Sequence, residues 1–359
     1  MKTGIDLLYN RSLKGPLLLL AILLVLPIVI PSPYVHGMMV LVGLYTIVGT
    51  GLSMLMGYAG QISLGHAAFY GMGAYMSAIC TVKLGWPALA GILAGILVAI
   101  VIAYIIGVPA LKLTEHYLGL ATLGFGVIIF IFFKQLKSVT GGLDGFSGIP
   151  ALNVFGIEFV TDMDYYYLVW PLVLCGILFA RNVIQSRVGR ALRSIHGSEV
   201  ASNAIGVNSQ TYKLQVFMMS AAYAAVAGSL YAHYITFISP QLFEATASIN
   251  FLIMVIIGGV ANIWGPLVGA MAFVFLSEGL KEVIPMVISN AGGEFEIVFF
   301  GILLVALLIY MPEGLLPSLQ KLVGKQFGTK KAKPVAATPV VTASAEQAET
   351  PVRMAGGDK

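Results

Sequence analysis

The stretch GYAGQISLGHAAFYG, residues 57–71, places Gln61, Ser63 and His66 in a glycine-rich apolar run. An amide, a hydroxyl and an imidazole at this spacing can hydrogen-bond a neutral solute. Glycines can also break a helix where backbone lines a path. Close packing of helices explains the same glycines without any path. Asn250 is another polar side chain inside an apolar run that could face such a path. A second polar stretch, GRALRSIHGSEVASNAIGVN (Gly189–Asn208), carries Arg190, Arg193 and Glu199 between two apolar segments. Its charges and small residues suit contact with another molecule rather than catalysis.

Other chemistry is missing from the sequence. There is no G-x-x-x-x-G-K-[ST] phosphate loop, so no ATP site of that kind is expected. No Cys/His cluster has metal-ligand spacing. No Ser/His/Asp set or pair of carboxylates stands out, and no motif asks for a cofactor. His66, His116 and His233 fall near the ends of apolar runs, where interfacial histidines are ordinary. Proton- or sodium-coupled carriers place ionisable groups near the bilayer middle, and the apolar runs here hold almost none. The chain therefore reads as a conduit, not an enzyme, and either another protein drives it or it is passive.

These residues need a membrane scaffold. Only 10% of the 359 residues are charged and 58% are hydrophobic, against roughly 25% charged in soluble domains. The net charge of +4 is small, and its basic residues form no patch with interleaved aromatics, which argues against nucleic acid. Nothing suggests that Cys80 and Cys175 meet. A span needs about 20 mainly apolar residues. Candidates lie near 16–31, 36–56, 62–82, 87–107, 117–133, 164–180, 211–236, 246–260, 263–279 and 294–311. The expected fold is an all-α polytopic membrane protein of about ten helices, some short or broken. The pair within 246–279 reads either as two spans or as a re-entrant hairpin. The first run resembles a signal peptide but ends without an A-x-A-like site, so it reads as retained. Residues 1–320 form the transmembrane domain. The Ala/Pro/Thr-rich 321–359 read as a disordered tail.

Ten spans with an internal amino terminus put sixteen of the 20 Lys and Arg on the cytoplasmic side. Lys83, Lys134, Lys137 and Lys281 fall outside, as do nine acids including Asp144, Glu158 and Glu278. Both termini and the Gly189–Asn208 loop, between spans six and seven, are then cytoplasmic. The glycine-rich outer loop 138–163 reads as a solvated connector or as a docking surface for a soluble partner. Within the inner loop, RVGRALRSIH puts Val188, Leu192 and Ile195 on one helical face. Ser198 can cap a second, short helix, with Glu199 in its first turn and Gly206 at its stop. That helix exposes Val200, Ala204 and Ile205. It is too short to stand alone in water, so it needs a partner surface: a protein groove, or lipid.

The segment GRALRSIHGSEVASNAIGVNSQTYKLQVFMMSAAYAAVAGSLYA resembles the signature of branched-chain amino-acid ABC transporter permeases of the LivM type. So do GYAGQISLGHAAFYGMGAY (57–75), HYLGLATLGFG (116–126), TGGLDGFSGIP (140–150) and SPQLFEATASINFLIMVIIGGVANIWGPLVGA (239–270). The resemblance runs over roughly residues 35–315. It implies an importer subunit in a bacterial inner membrane. Implied partners are a LivH-like second permease, two cytoplasmic ATP-binding subunits and a periplasmic substrate-binding protein. It also implies that Ser198–Gly206 is a coupling helix seated in a cleft of the ATPase. Val200, Ala201, Ala204, Ile205 and Gly206 would form the contact, with Arg190, Arg193 and Glu199 beside it. Where the family reads A-I-R-E-x-E, this chain has Ser194–Ile195–His196–Gly197–Ser198–Glu199, so charge pairs at 196 and 197 are not carried over. Related permeases handle urea, amides or other amino acids. From a different class, a passive channel or secondary transporter also fits the lack of an energy source.

Overall fold

The computed structural model describes residues 31–113, 115–154 and 156–287, with Pro27 and short pieces between 298 and 318. The expected first span at 16–31, most of the last at 294–311 and the tail from 321 lie outside the described residues.

The helices are α1 (Pro33–Ser53), α2 (His66–Val82), α3 (Ala88–Ala110), α4 (Glu115–Gln135), α5 (Asp162–Gln185), α6 (Arg187–Gly197), α7 (Glu199–Ala204), α8 (Ser209–Ile235), α9 (Ala245–Gly258) and α10 (Gly265–Val287). Five of the described segments are long and apolar enough to cross a membrane: Pro33–Tyr58, Ala88–Ala110, Tyr117–Gln135, Asp162–Gln185 and Ser209–Ile235. Each span read from hydropathy inside the described region overlaps a helix, though not always with the same bounds. The outer sides of α3 and α4 expose Leu93, Leu97, Ile105, Leu120 and Ile128, a surface suited to lipid tails.

The core is built on α2 and α8, which run in the same direction. The Ser229 hydroxyl donates to the Gly73 carbonyl at 2.9 Å. A Cβ on Gly73 would meet the Ala225 carbonyl at 2.2 Å, and one on Gly228 would meet that of Tyr70 at 1.9 Å. Small residues let the two backbones touch. The α9–α10 pair is as tight, since a Cβ on Gly269 would sit 1.8 Å from the Met254 carbonyl.

Two departures from the sequence reading concern breaks in this pattern. The third span does not start at 62: α1 runs into a π turn, Met54–Tyr58, and residues 60–65 are not helical. Gly60 takes φ +68, open to glycine at no steric cost. The loop 138–163, read as a solvated connector or a docking surface in an all-α chain, contains an antiparallel hairpin, β1 (Leu152–Val154) with β2 (Ile157–Phe159), paired Leu152↔Phe159 and Asn153↔Glu158. Three-residue strands fall below what alternation in an apolar chain can reveal. The loop is tied to the bundle, as Phe146 and Ile238 exchange backbone bonds of 2.7 and 3.1 Å.

After this loop α5 begins at a capping box. The Thr161 hydroxyl accepts from the Asp164 N–H, and the Asp164 carboxylate accepts from the Thr161 N–H. Thr161→Ala removes one of these bonds. A loss of about 0.5–2 kcal/mol is expected, seen as a fall of a few degrees in the melting temperature of the detergent-solubilised protein.

Candidate functional site

The stretch Gly189–Asn208 folds as the two short helices that its sequence suggests. Leu192 and Ile195 are buried against the bundle and Val188 is partly so. The Ser198 hydroxyl caps α7 by accepting from the Ala201 N–H at 3.2 Å. Gly206, at φ +87, ends it. The Ser194 and Ser202 hydroxyls join α6 to α7 at 2.8 Å. On the outer face Val200 is 81% exposed and Ile205 76%, with Ala201, Ala204 and Glu199 exposed beside them.

Arg190 and Arg193 turn partly inward. Their guanidinium groups donate to the carbonyls of Gln185 at 3.3 Å and Ile184 at 3.0 Å. These carbonyls end α5, where a positive charge complements the helix dipole. Both arginines thus brace the α5–α6 corner. His196 is exposed, and a Cβ on Gly197 would meet nothing within 4 Å. The departure from the family pattern at these two positions therefore removes no internal contact of Gly197.

Sequence reasoning treated Lys213 only as one more basic residue. In the structure it is buried, 3% exposed, and its ammonium reaches the Glu199 carboxylate at 2.6 Å. Burial pushes the Glu199 carboxyl upward. Bonds from Lys213 and Ser209 and the Lys213 charge outweigh that and hold it below its ordinary value. The pair joins α7 to the first turns of α8, and α6 packs against the π turn of Met54–Tyr58. No local signal could have shown it, since 14 residues separate the partners across two helices.

Ser63 and His66 do come together, fully buried; Gln61 is buried too, but its amide donates to the Ala59 carbonyl at 3.1 Å and its oxygen has no partner. The His66 ring lies between the Ser63 and Ser220 hydroxyls at 2.9 and 2.6 Å. The Leu64 N–H donates to the Thr122 hydroxyl at 3.0 Å, and the Ala67 N–H to that of Ser248 at 2.9 Å. Non-helical backbone is tolerated at membrane depth when protein satisfies it, and side chains of α4 and α9 accept from backbone N–H groups here. His233 is also buried, between the Ser77 hydroxyl at 2.8 Å and the Pro150 carbonyl at 2.9 Å. The expectation of interfacial histidines is thus corrected for His66 and His233: both pin α2 to α8. The His116 side chain is outside the described residues.

Asn250 stands apart from that network. It lines a cavity of about 90 Å³ with Tyr45, Tyr70, Tyr231, Phe251 and Met254. Among the described residues no group of three or more His, Cys, Asp or Glu could hold a metal ion. Cys80 and Cys175 are both free thiols.

The family described as branched-chain amino acid transport system / permease component matches residues 34–308. The chain belongs to this family. It is 30% identical over 339 residues to the high-affinity branched-chain amino acid transport system permease protein LivM of Escherichia coli, covering 86% of this chain and 76% of the relative. It is 26% identical over 316 residues to the probable branched-chain amino acid transport permease protein LivM of Methanocaldococcus jannaschii, covering 77% and 91%. The E. coli permease protein LivH is 23% identical over 297 residues, covering 77% and 93%. No solved structure matches this one. With its long apolar helices, this branched-chain amino acid permease component is an integral membrane protein.

Proposed function

We propose that this permease is the membrane-spanning subunit of an ATP-driven importer for branched-chain amino acids. A soluble binding protein delivers the solute on the outer side. A second, LivH-like permease completes the bundle, and two ATP-binding subunits drive it from the cytoplasm. The observation that carries this reading is the α6–α7 hairpin. A six-residue helix presents Val200, Ala201, Ala204 and Ile205 to solvent and is clamped to α8 through Glu199 and Lys213. Force on that face passes through Lys213 into α8, and through α6 into the π turn of α1. A chain with no phosphate loop of its own needs such a handle.

Ten spans with both termini cytoplasmic agree with the basic residues. α9 is short for a span: 14 residues rise about 21 Å against a hydrocarbon core of about 30 Å. It serves as a broken span, backed by α10.

The orientation has a direct check. In a background with Cys80→Ala and Cys175→Ala, Ser147→Cys should react with an impermeant maleimide added to intact cells, and Ser198→Cys only after lysis. Labelling of Ser198→Cys from outside would reverse the topology. The function is tested by reconstituting the permease pair, ATP-binding subunits and binding protein into vesicles. ATP-dependent uptake of leucine, isoleucine and valine is expected. Uptake of urea or amides in their place would reassign the substrate.

A further inference from the structure

The cavity beside Asn250 has walls from five helices: Tyr45 on α1, Tyr70 on α2, Tyr231 on α8, Asn250 and Met254 on α9, and Phe273 on α10. Aromatic rings frame it. The Tyr70 and Tyr231 ring centroids lie 5.6 Å apart, and the Phe251 ring packs 5.4 Å from Tyr70 and 5.8 Å from Tyr45. The buried Tyr70 hydroxyl has no hydrogen-bond partner. The Tyr45 and Tyr231 hydroxyls and the Asn250 amide, all on half-buried residues, belong to the same lining. Four uncharged hydrogen-bonding groups thus line one void, and the fully buried one among them, the Tyr70 hydroxyl, is left unused by the fold, whereas buried polar groups are ordinarily paired. Gln61, Tyr75 and Trp170 also hold an unpaired buried polar atom, but of these four residues only Tyr70 lines this cavity.

We infer that this cavity is a transient binding site for the transported solute, and that it takes a small zwitterionic α-amino acid with an aliphatic side chain. The inference rests on the amino-acid importer reading and adds a place and a chemistry to it. The lining has no ionised side chain, which suits a solute without net charge. Tyrosine hydroxyls and the Asn250 amide N–H groups donate to a carboxylate. The Asn250 carbonyl accepts from an ammonium, which also lies well over the Phe251 and Tyr70 faces. Leu242 and Met254 meet the aliphatic part. The volume is several times the ~10–15 Å³ that a single water requires. Tyr231 lies about 27 Å along α8 from Lys213 at 1.5 Å per residue, so the site occupies the half of the bundle away from the coupling hairpin. That is the half a solute reaches first in the proposed orientation.

The test uses the complete transporter in vesicles, with saturating binding protein and labelled leucine as probe. Tyr70→Phe keeps the ring and removes only the hydroxyl. It should lower leucine uptake about 3- to 10-fold, the scale of one lost hydrogen bond. Asn250→Leu should lower it at least about tenfold. ATP hydrolysis stimulated by the loaded binding protein should stay within about twofold of wild type in both. Met254→Ala enlarges the void and should raise phenylalanine uptake relative to valine at least about threefold, a gain that lost stability cannot produce. Unchanged uptake and ratio in Tyr70→Phe and Met254→Ala would mean that the cavity holds only water, and would overturn the site while the importer reading stands. Loss of ATP hydrolysis in parallel with uptake would make these residues structural and overturn it too. A wild-type complex that takes up no amino acid would refute the importer reading itself, and the amino-acid occupant with it.

Discussion

In Ala201→Trp protein the membrane bundle should assemble normally, while transport and co-purification with the ATP-binding subunits are lost. Ala201 sits on the exposed face of α7 between Val200 and Ala204, and its side chain points away from the bundle. An indole there meets no internal neighbour. The Ser198 cap, the Ser194–Ser202 bond and the Glu199–Lys213 pair are left in place. A partner cleft shaped to small side chains has no room for it, and overpacking costs about 1–3 kcal/mol or more. That lowers affinity by about one to two orders of magnitude, enough to empty a cleft occupied at moderate affinity. Expression and melting temperature should match wild type, and Ala201→Ser should transport normally. An Ala201→Trp complex that retains its ATP-binding subunits and transports at the normal rate would remove α7 from the coupling path.

Most of the helical frame was legible because membrane helices are written in hydropathy, and hydropathy is a local property. The Ser198 cap and the Gly206 stop were legible for the same reason: each acts within a turn of itself. The break at residues 60–65 was half legible. Its glycines marked it, but the hydroxyls that hold its backbone, Thr122 and Ser248, come from two other helices, and Ser220 on a third holds the His66 ring. The β1–β2 hairpin escaped because its strands are only three residues long. Lys213 and the tyrosine cavity escaped for a stronger reason. Tyr45, Tyr70 and Tyr231 lie on three helices, and each alone looks like any aromatic residue in an apolar span. Their shared void exists only once α1, α2, α8 and α9 have packed. His66 shows the opposite error. In sequence it looked like an interfacial residue, and the fold gives it a serine on each ring nitrogen instead.

The second large effect concerns Lys213 and separates binding from coupling. Lys213→Met should leave the ATP-binding subunits attached, because Val200, Ala201 and Ile205 are untouched. It should lower transport at least about tenfold while a substantial part of ATP hydrolysis continues. Removing the ammonium strands a carboxylate, but the Glu199 side chain is 46% exposed and can hydrate. The cost therefore lies between the exposed-pair and buried-pair ranges, about 1–3 kcal/mol. That is little for the whole bundle and much for a six-residue helix. Without its anchor, α7 can move with the ATPase while α8 stays still. The paired reversal Glu199→Lys with Lys213→Glu should recover part of the transport that either single change loses. The pH dependence follows from the same pair. The Glu199 carboxyl is held below its ordinary 4.5, so the anchor is complete above that value and weakens only as pH falls through the lower, folded-state value. Coupling in the wild type should therefore be flat between about pH 5 and 8 as far as this pair is concerned. Transport lost in proportion to ATP-binding-subunit release in Lys213→Met would assign Lys213 to holding the docking surface together rather than to passing its motion into α8.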